Sequence, residues 1–132
     1  MNRDPSFLQI VNIFIRILPI AFLVAYSQII VKMRTSKLNY DFFQQEVLWI
    51  KIWTYLNDPW ILSGYVAALL ASIIWLFVVT KMPLVVAFPI YIGVTFVLVI
   101  LGGALLLNES LSLARLVAAI MIMAGIVIGI KN

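Results

Sequence analysis

Polar side chains within long, uncharged apolar stretches are the residues of this sequence that are best suited to bind a ligand. The first such stretch contains Ser27 and Gln28 and ends at Lys32. Where a stretch crosses a membrane, an amide or hydroxyl is costly without hydrogen-bond partners, so these positions are candidate functional sites. One interpretation is that Tyr26, Ser27, Gln28 and Lys32 line a polar cavity that holds an anionic headgroup. The alternative, which position alone favours, is that Gln28 and Lys32 lie at the membrane–water interface and are solvated there.

The composition indicates that these stretches fold in a lipid bilayer and not in water. Of 132 residues, 65% are hydrophobic and 11% are charged, and the mean hydropathy is +1.17. Soluble domains carry about 25% charged residues, and a chain this small cannot bury so much apolar surface in its own core. We therefore predict an all-α integral membrane protein, because a helix satisfies its backbone hydrogen bonds within one apolar segment.

Chemical catalysis is not expected from these residues. The sequence has neither Cys nor His, which removes thiolate nucleophiles, the usual zinc ligands and a histidine general base. We expect no catalytic residue, no metal and no cofactor. The basic residues lie at the ends of the apolar stretches rather than in a run. That pattern is typical of anchoring to lipid phosphates and not of nucleic-acid binding.

Four stretches are long enough to cross a bilayer, which takes about 20 apolar residues. The predicted spans are 10–32, 59–80, 83–107 and 111–130; Arg16 must reach the interface from the first, and Arg115 lies near the start of the last. Short links between the spans force neighbouring helices to run antiparallel. Residues 1–132 are therefore expected to form one four-helix antiparallel bundle.

The longest polar connection, residues 33–58, contains a cluster of aromatic residues. Trp49, Trp53 and Trp60 lie close to the start of the second span, and tryptophan at this density is typical of a membrane–water boundary. The spacing of apolar residues predicts a short amphipathic helix over residues 41–56 that lies on the bilayer surface. The alternative is that this segment extends the second membrane helix beyond the bilayer.

Small residues in the last span indicate how the chain assembles. Gly125 and Gly129 form a small-xxx-small pattern, and Ala118 lies one heptad before Gly125. Such a pattern allows two membrane helices to approach closely. Because four helices enclose little volume, we predict that these three residues pack at the interface of a homodimer, or of a heterodimer with a related small membrane protein.

The four predicted spans contain no Asp and no Glu. A proton-coupled exporter needs a carboxylate that exchanges a proton for a cation, so the simplest coupling device is missing. Glu109 and Ser110 precede the last span and are expected to cap that helix. A substrate role for Glu109 and Arg115 would require that the two side chains face a cavity.

Four short motifs follow one another along the chain. They are a Gln-x-x-x-Lys pattern, a Trp-Leu pair followed by a proline, an Ala-aromatic-Pro element and a glutamate before the last span: Gln28 to Lys32, Trp75-Leu76 with Pro83, Ala87-Phe88-Pro89, and Glu109. In this order they resemble the small four-helix proteins of the drug/metabolite transporter superfamily. They are most similar to the paired subunits thought to flip aminoarabinose attached to undecaprenyl phosphate, which have Gly where this chain has Ser27 and Tyr where it has Phe88. The small multidrug resistance branch instead has a Glu eight residues before the Lys, where this chain has Val24.

The resemblance implies a transporter or flippase subunit of the bacterial inner membrane that translocates a polyprenyl-phosphate-linked sugar or a similar lipid-linked substrate. It implies two sets of substrate-binding side chains. The phosphate and sugar would be held by Tyr26, Ser27, Gln28, Lys32 and Tyr91. The isoprenoid would be held by Trp75 and Phe88. Two alternatives stay open. One is a small-molecule or multidrug exporter of the small multidrug resistance type, and the other is a non-transporting accessory subunit of a membrane glycosyltransferase or assembly complex.

Overall fold

Helices make up the regular structure of this chain. The computed structural model describes residues 7–38 and 47–131, and within those residues it contains five α-helices and no strand. In chain order they are α1 (Phe7–Leu38), α2 (Leu48–Leu56), α3 (Pro59–Val79), α4 (Leu84–Leu106) and α5 (Leu113–Lys131). The predicted all-α class is confirmed for the described part of the chain.

Three of these helices are long and apolar enough to cross a membrane. The qualifying segments are Val11–Lys37, Pro59–Val79 and Leu84–Leu106, with 27, 21 and 23 residues. The predicted bounds of the second and third spans lie within one residue of α3 and α4, whereas α1 continues to Leu38, beyond the predicted end at Lys32. The apolar helical stretch of α5, Leu113–Gly129, is shorter, so the fourth span stays a prediction.

The described helices pack around α1, which contacts both α3 and α4. Arg34 near the end of α1 pairs with Asp58 at the start of α3, so these two helices run antiparallel. Ile29 of α1 contacts Gly102 near the end of α4, so α1 and α4 run in the same direction. α5 packs against α4 alone among the described helices, so the predicted four-helix antiparallel bundle is not confirmed.

Small side chains hold α1 and α3 close together. Ala21, Ala25, Ala67 and Ala71 are buried, and Gly64 is buried against α1. In lipid there is little hydrophobic gain from helix association, so close van der Waals packing of small residues supplies much of the attraction. Larger apolar side chains, among them Ile17, Ile20, Val78 and Ile90, complete the core together with Ala87 towards the other end of α1.

The junction between α2 and α3 is set by Asp58 and Pro59. The Asp58 carboxylate accepts hydrogen bonds from the amides of Trp60 and Ile61, at 2.9 and 3.2 Å, and Pro59 occupies the first turn of α3, where a missing N–H has no effect. The alternative that this segment extends the second membrane helix is therefore wrong, because α2 and α3 are separate helices. Within the predicted helix 41–56, α2 begins at Leu48 because Val47 has an extended backbone; residues 41–46 lie outside the described residues.

The turn between α4 and α5 is built around Asn108, whose φ of 53° is a left-handed conformation that Asn tolerates well. The Glu109 amide donates to the carbonyl of Gly103 at 3.1 Å. The Ser112 hydroxyl accepts from the Arg115 amide at 3.3 Å. The prediction that Glu109 and Ser110 cap the last helix is wrong, because α5 begins later and Ser112 supplies the side-chain acceptor.

Candidate functional site

Three of the predicted substrate-binding residues, Trp75, Phe88 and Tyr91, form one aromatic cluster. The ring centroids of Trp75 and Tyr91 are 5.0 Å apart, and those of Trp75 and Phe88 are 6.4 Å apart. Phe88 and Tyr91 lie three residues apart on α4 and so share a face of that helix. The short turn after α3 returns the chain so that this face meets Trp75.

The aromatic cluster lines a small cavity among α1, α3 and α4. Its volume is about 160 Å³. The other lining residues are Ile20, Val24, Ala71 and Ser72, and the Ser72 hydroxyl already donates to the Ala68 carbonyl at 3.1 Å. Because aromatic and aliphatic groups dominate this wall, the cavity suits an apolar group or the face of a ring better than a charged group.

The polar residues that were predicted to join this cluster lie elsewhere along α1 and face different directions. Ser27 is buried and its carbonyl faces Gly64 of α3, whereas Gln28 and Lys32 are exposed. The Tyr26 hydroxyl lies 2.9 Å from the Ser63 hydroxyl of α3, in a hydrogen bond in which either group can donate. Lys32 follows Val24 by eight residues, which is about 12 Å along an α-helix. The structure therefore brings together three of the seven predicted residues.

An ion pair that the sequence reasoning missed joins α1 to the start of α3. Arg34 donates to both carboxylate oxygens of Asp58, with Nη2–Oδ2 at 2.5 Å and Nε–Oδ1 at 3.3 Å. This hydrogen-bonded guanidinium holds the pKa of Asp58 below its usual value, and the amides of Ile61 and Trp60 act in the same direction while burial opposes them. The Asp58-Pro59 pair is a helix-start signal, but no sequence pattern identifies Arg34 as its partner.

A second cavity, lined in part by charged residues, lies between the end of α4 and the start of α5. Its volume is about 260 Å³, and both Glu109 and Arg115 line it. The condition for a substrate role of this pair, that it face a cavity, is thus met by the geometry. Beside it, α4 and α5 line a third, larger and open cavity of about 580 Å³ whose lining is apolar throughout.

Two of the three predicted dimer-interface residues, Gly125 and Gly129, face open space within the described chain. A Cβ added at Gly125 or at Gly129 would meet nothing within 4 Å, and Ala118 lines the charged cavity. The two glycines therefore leave an open, smooth strip on α5, and the interface stays a prediction. Among the described residues, no group of three His, Cys, Asp or Glu side chains could hold a metal ion.

The helices and their surfaces define the class of the protein. Three described helices reach the length and hydropathy of membrane spans, and large apolar side chains such as Leu69, Phe77 and Leu105 are exposed on the outside. This combination is that of a helical membrane protein, in which lipid covers the apolar outer surface.

One comparison with known proteins refines this class. Over 60 residues the chain is 30% identical to a probable 4-amino-4-deoxy-L-arabinose-phosphoundecaprenol flippase subunit, ArnE, of Aeromonas salmonicida (strain A449). The aligned part is 46% of this chain and 52% of that protein, so the chain spans about half the length of the curated relative it matches. The similarity supports a relation to small membrane transporter proteins. No family model matches the chain, and no solved structure matches it.

Proposed function

We propose that this chain is a subunit of a membrane transporter or flippase of the bacterial inner membrane that translocates a polyprenyl-phosphate-linked sugar or a similar lipid-linked substrate. The observation that carries the proposal is the 30% identity over 60 residues to a probable flippase subunit. The subunit acts as a homodimer or with a related small membrane protein, because one chain of this size encloses little volume.

The distribution of polar and apolar groups supports a lipid-linked cargo. The aromatic cavity among α1, α3 and α4 offers Trp75, Phe88 and Tyr91 to an apolar chain or a sugar ring. Further along α1, Gln28 and Lys32 are exposed at the end of the helix where α3 begins. An ammonium is a suitable point charge for a phosphate. In this proposal the lipid chain passes the aromatic cavity while Gln28 and Lys32 hold the phosphate.

Movement of such a cargo follows the alternating-access scheme that many transporters use. Two antiparallel-packed units rock against each other, so that a central site opens to one side of the membrane and then to the other. Within this chain α1 packs on both α3 and α4, whereas α5 packs on α4 alone among the described helices, so in this proposal α1, α3 and α4 move as one unit. The strip of Gly125 and Gly129 on α5 provides a surface for the partner.

The transport proposal predicts that Lys32→Ala and Gln28→Ala slow flipping of a polyprenyl phosphate lipid. Loss of one charge-assisted contact in the transition state is expected to lower the rate about tenfold, which corresponds to about 1.4 kcal/mol. The measurement is the flipping rate of a fluorescent polyprenyl phosphate in proteoliposomes that contain the full chain with whatever protein co-purifies from native membranes.

Lys81→Ala is the matched control for Lys32→Ala, because Lys81 is also exposed but follows α3 at the opposite end of the packed helices. It is expected to flip the lipid at the parental rate. Parental rates for both Lys32→Ala and Gln28→Ala would contradict the assignment of these residues, and protein-free rates for the parent would contradict the proposed function.

We propose in addition that α2 lies on the bilayer surface. Trp49, Ile52, Trp53 and Leu56 recur at helical spacing and share one face, and the two tryptophans are 75% and 70% exposed. None of the residues of α2 is buried within the described chain. An indole at the headgroup level keeps its ring in an apolar layer and its N–H in contact with water, which fits this exposed face.

Tryptophan fluorescence tests the position of α2. The chain has four tryptophans, so variants that retain Trp53 alone or Trp75 alone report on α2 and on α3 separately when the others are replaced by Phe. In vesicles with brominated phospholipids, we expect Trp53 to be quenched most by bromine near the headgroup and Trp75 by bromine deeper in the acyl chains. Free quenching of Trp53 by aqueous iodide, with none by brominated lipid, would place α2 away from the bilayer.

A further inference from the structure

The charged cavity between α4 and α5 has the size and the lining of a headgroup site. Its volume of about 260 Å³ lies just under the range of about 300–1,000 Å³ that is typical of pockets for drug-sized ligands. Apolar groups from both helices form its walls, and the polar groups are concentrated in the segment that joins the helices: Glu109, Ser110 and Arg115.

Glu109 supplies a carboxylate that has no counter-ion within the described chain. The sequence has five acidic residues, and two of them, Asp58 and Glu109, fall in the part that the structure describes. Asp58 is neutralised by Arg34. Across the described ranges, no hydrogen bond or ion pair occupies the Glu109 carboxylate. Its Oε2 atom lies over Gly103, 3.2 Å from where a Cβ on that glycine would stand, so the side chain folds back over the end of α4.

Arg115 supplies a guanidinium whose donors are only partly used. Its Nη1 donates to the Ser110 carbonyl at 2.8 Å, and a guanidinium has five N–H donors in a planar fork. The residue lies in the first turn of α5, where a cation opposes the helix dipole. An anion bound beside Arg115 would use the remaining donors and would also interact favourably with the free amides of that turn.

The apolar cavity next to this site provides a place for a hydrocarbon chain. The two cavities share Ile100 in their walls. The larger one has a volume of about 580 Å³ and is lined only by apolar residues of α4 and α5, such as Val97, Met123 and Val127. A carboxylate, a guanidinium and an adjoining apolar cavity together match an amphiphile whose headgroup carries both signs of charge.

We propose that this site binds a lipid whose headgroup contains both a primary amine and a phosphate diester. The ammonium group pairs with Glu109, the phosphate takes the free donors of Arg115, and one hydrocarbon chain enters the apolar cavity between α4 and α5. Two sources offer this chemistry: a bilayer phospholipid with an ethanolamine headgroup, or an amino sugar linked through phosphate to a polyprenol. The site itself does not depend on the proposed transport.

The test compares the affinities of the full chain in detergent for two lipids, measured by native mass spectrometry. The probes are phosphatidylethanolamine and its N-acetylated form, which have the same phosphate and acyl chains but differ in the charge of the amine. We expect the parent to prefer the free amine about tenfold, which corresponds to about 1.4 kcal/mol. Glu109→Gln should abolish this preference without lowering the affinity for the N-acetylated lipid. Arg115→Gln should lower the affinities for both lipids by the same factor.

Arg16→Gln is the matched control, because Arg16 is an exposed arginine on α1 far from this cavity along the sequence and contributes nothing to its lining. It should leave both affinities unchanged. The proposal is overturned if the parent shows no preference, if Glu109→Gln retains the preference, or if Arg16→Gln weakens binding as much as Arg115→Gln does.

Competition then identifies the source of the lipid. Displacement of phosphatidylethanolamine by an equal concentration of a polyprenyl phosphate that carries an amino sugar supports the site and assigns it to the cargo. Retention of phosphatidylethanolamine supports the site and assigns it to the bilayer. A Glu109→Gln variant that loses the preference but flips lipid at the parental rate separates this site from the transport path, so the two proposals can fail independently.

Discussion

Replacement of Gly64 by Ala is expected to destabilise the chain by about 1–3 kcal/mol, because the added methyl group enters the contact between α1 and α3. A Cβ at this position would lie 2.8 Å from Cγ2 of Ile30 and 3.1 Å from Cγ2 of Val31. Both neighbours are branched at Cβ and have few rotamers in a helix. They cannot move aside, so the two helices must separate. The measurement is the thermal unfolding of the full chain in detergent, followed by near-ultraviolet circular dichroism.

Gly93→Ala is the matched control for this prediction. Gly93 is also helical and buried, and an added Cβ would again meet close neighbours, Cδ1 of Ile126 at 2.7 Å and Sδ of Met123 at 3.0 Å. These atoms are the far ends of flexible side chains that can rotate away. The variant should be neutral or stabilised by up to about 1 kcal/mol, because Ala has a higher helix propensity than Gly. Equal destabilisation of both variants would contradict the role assigned to Gly64.

Loss of the Asp58 side chain is expected to lower Tm by more than loss of its charge alone. Asp58→Ala removes both the ion pair with Arg34 and the acceptor for the amides of Trp60 and Ile61. Asp58→Asn keeps an oxygen that can accept from those amides, and Arg34→Gln removes the cation alone. The predicted order of Tm is therefore parent, then Asp58→Asn and Arg34→Gln, then Asp58→Ala. A Tm of Asp58→Ala equal to that of Asp58→Asn would show that the cap is dispensable.

The same ion pair predicts a dependence of stability on acid pH. The pKa of Asp58 is lower in the folded chain than its ordinary value, because the hydrogen-bonded Arg34 favours the charged carboxylate. The stabilisation is therefore fully present above the unfolded pKa of about 3.9 and is lost as the pH falls from there through the folded pKa. Between pH 7 and pH 5 the Tm difference between the parent and Asp58→Asn should be constant, and below about pH 4 it should shrink. A constant difference down to pH 2 would contradict the pairing.

The starts of α3 and α4 could be predicted from the sequence because each has a local chemical cause. Asp58 with Pro59 starts α3, and Pro83 immediately precedes α4. Which helices pack against each other could not be predicted from such local signals. Whether the last helix packs against one neighbour or against all of them depends on which faces fit together, and neither α4 nor α5 has a strongly polar face opposite an apolar one. Hydropathy alone therefore does not show that, among the described helices, α5 contacts α4 and no other.

The part of the candidate site that could be predicted from the sequence is the part whose residues share one face of a helix. Phe88 and Tyr91 share a face of α4, and the short turn after α3 brings Trp75 to that face. In contrast, Ser27 and Gln28 are adjacent in sequence, but successive residues of a helix point about 100° apart. Ser27 is thus buried against α3 while Gln28 is exposed. A motif of consecutive residues on a helix does not form one binding surface, however well its order matches a known pattern.

The pair of Arg34 and Asp58 also makes the segment between them a closed loop. Arg34 and Asp58 hold the C-terminal part of α1 against the start of α3, whatever the length of the chain that joins the two helices. The entropy of closing a loop rises only with the logarithm of its length. Insertions or deletions in the segment before α2 should therefore be tolerated while the register of α1 against α3 is kept. The contact between α1 and α3 is thereby made independent of the length of the chain that joins them.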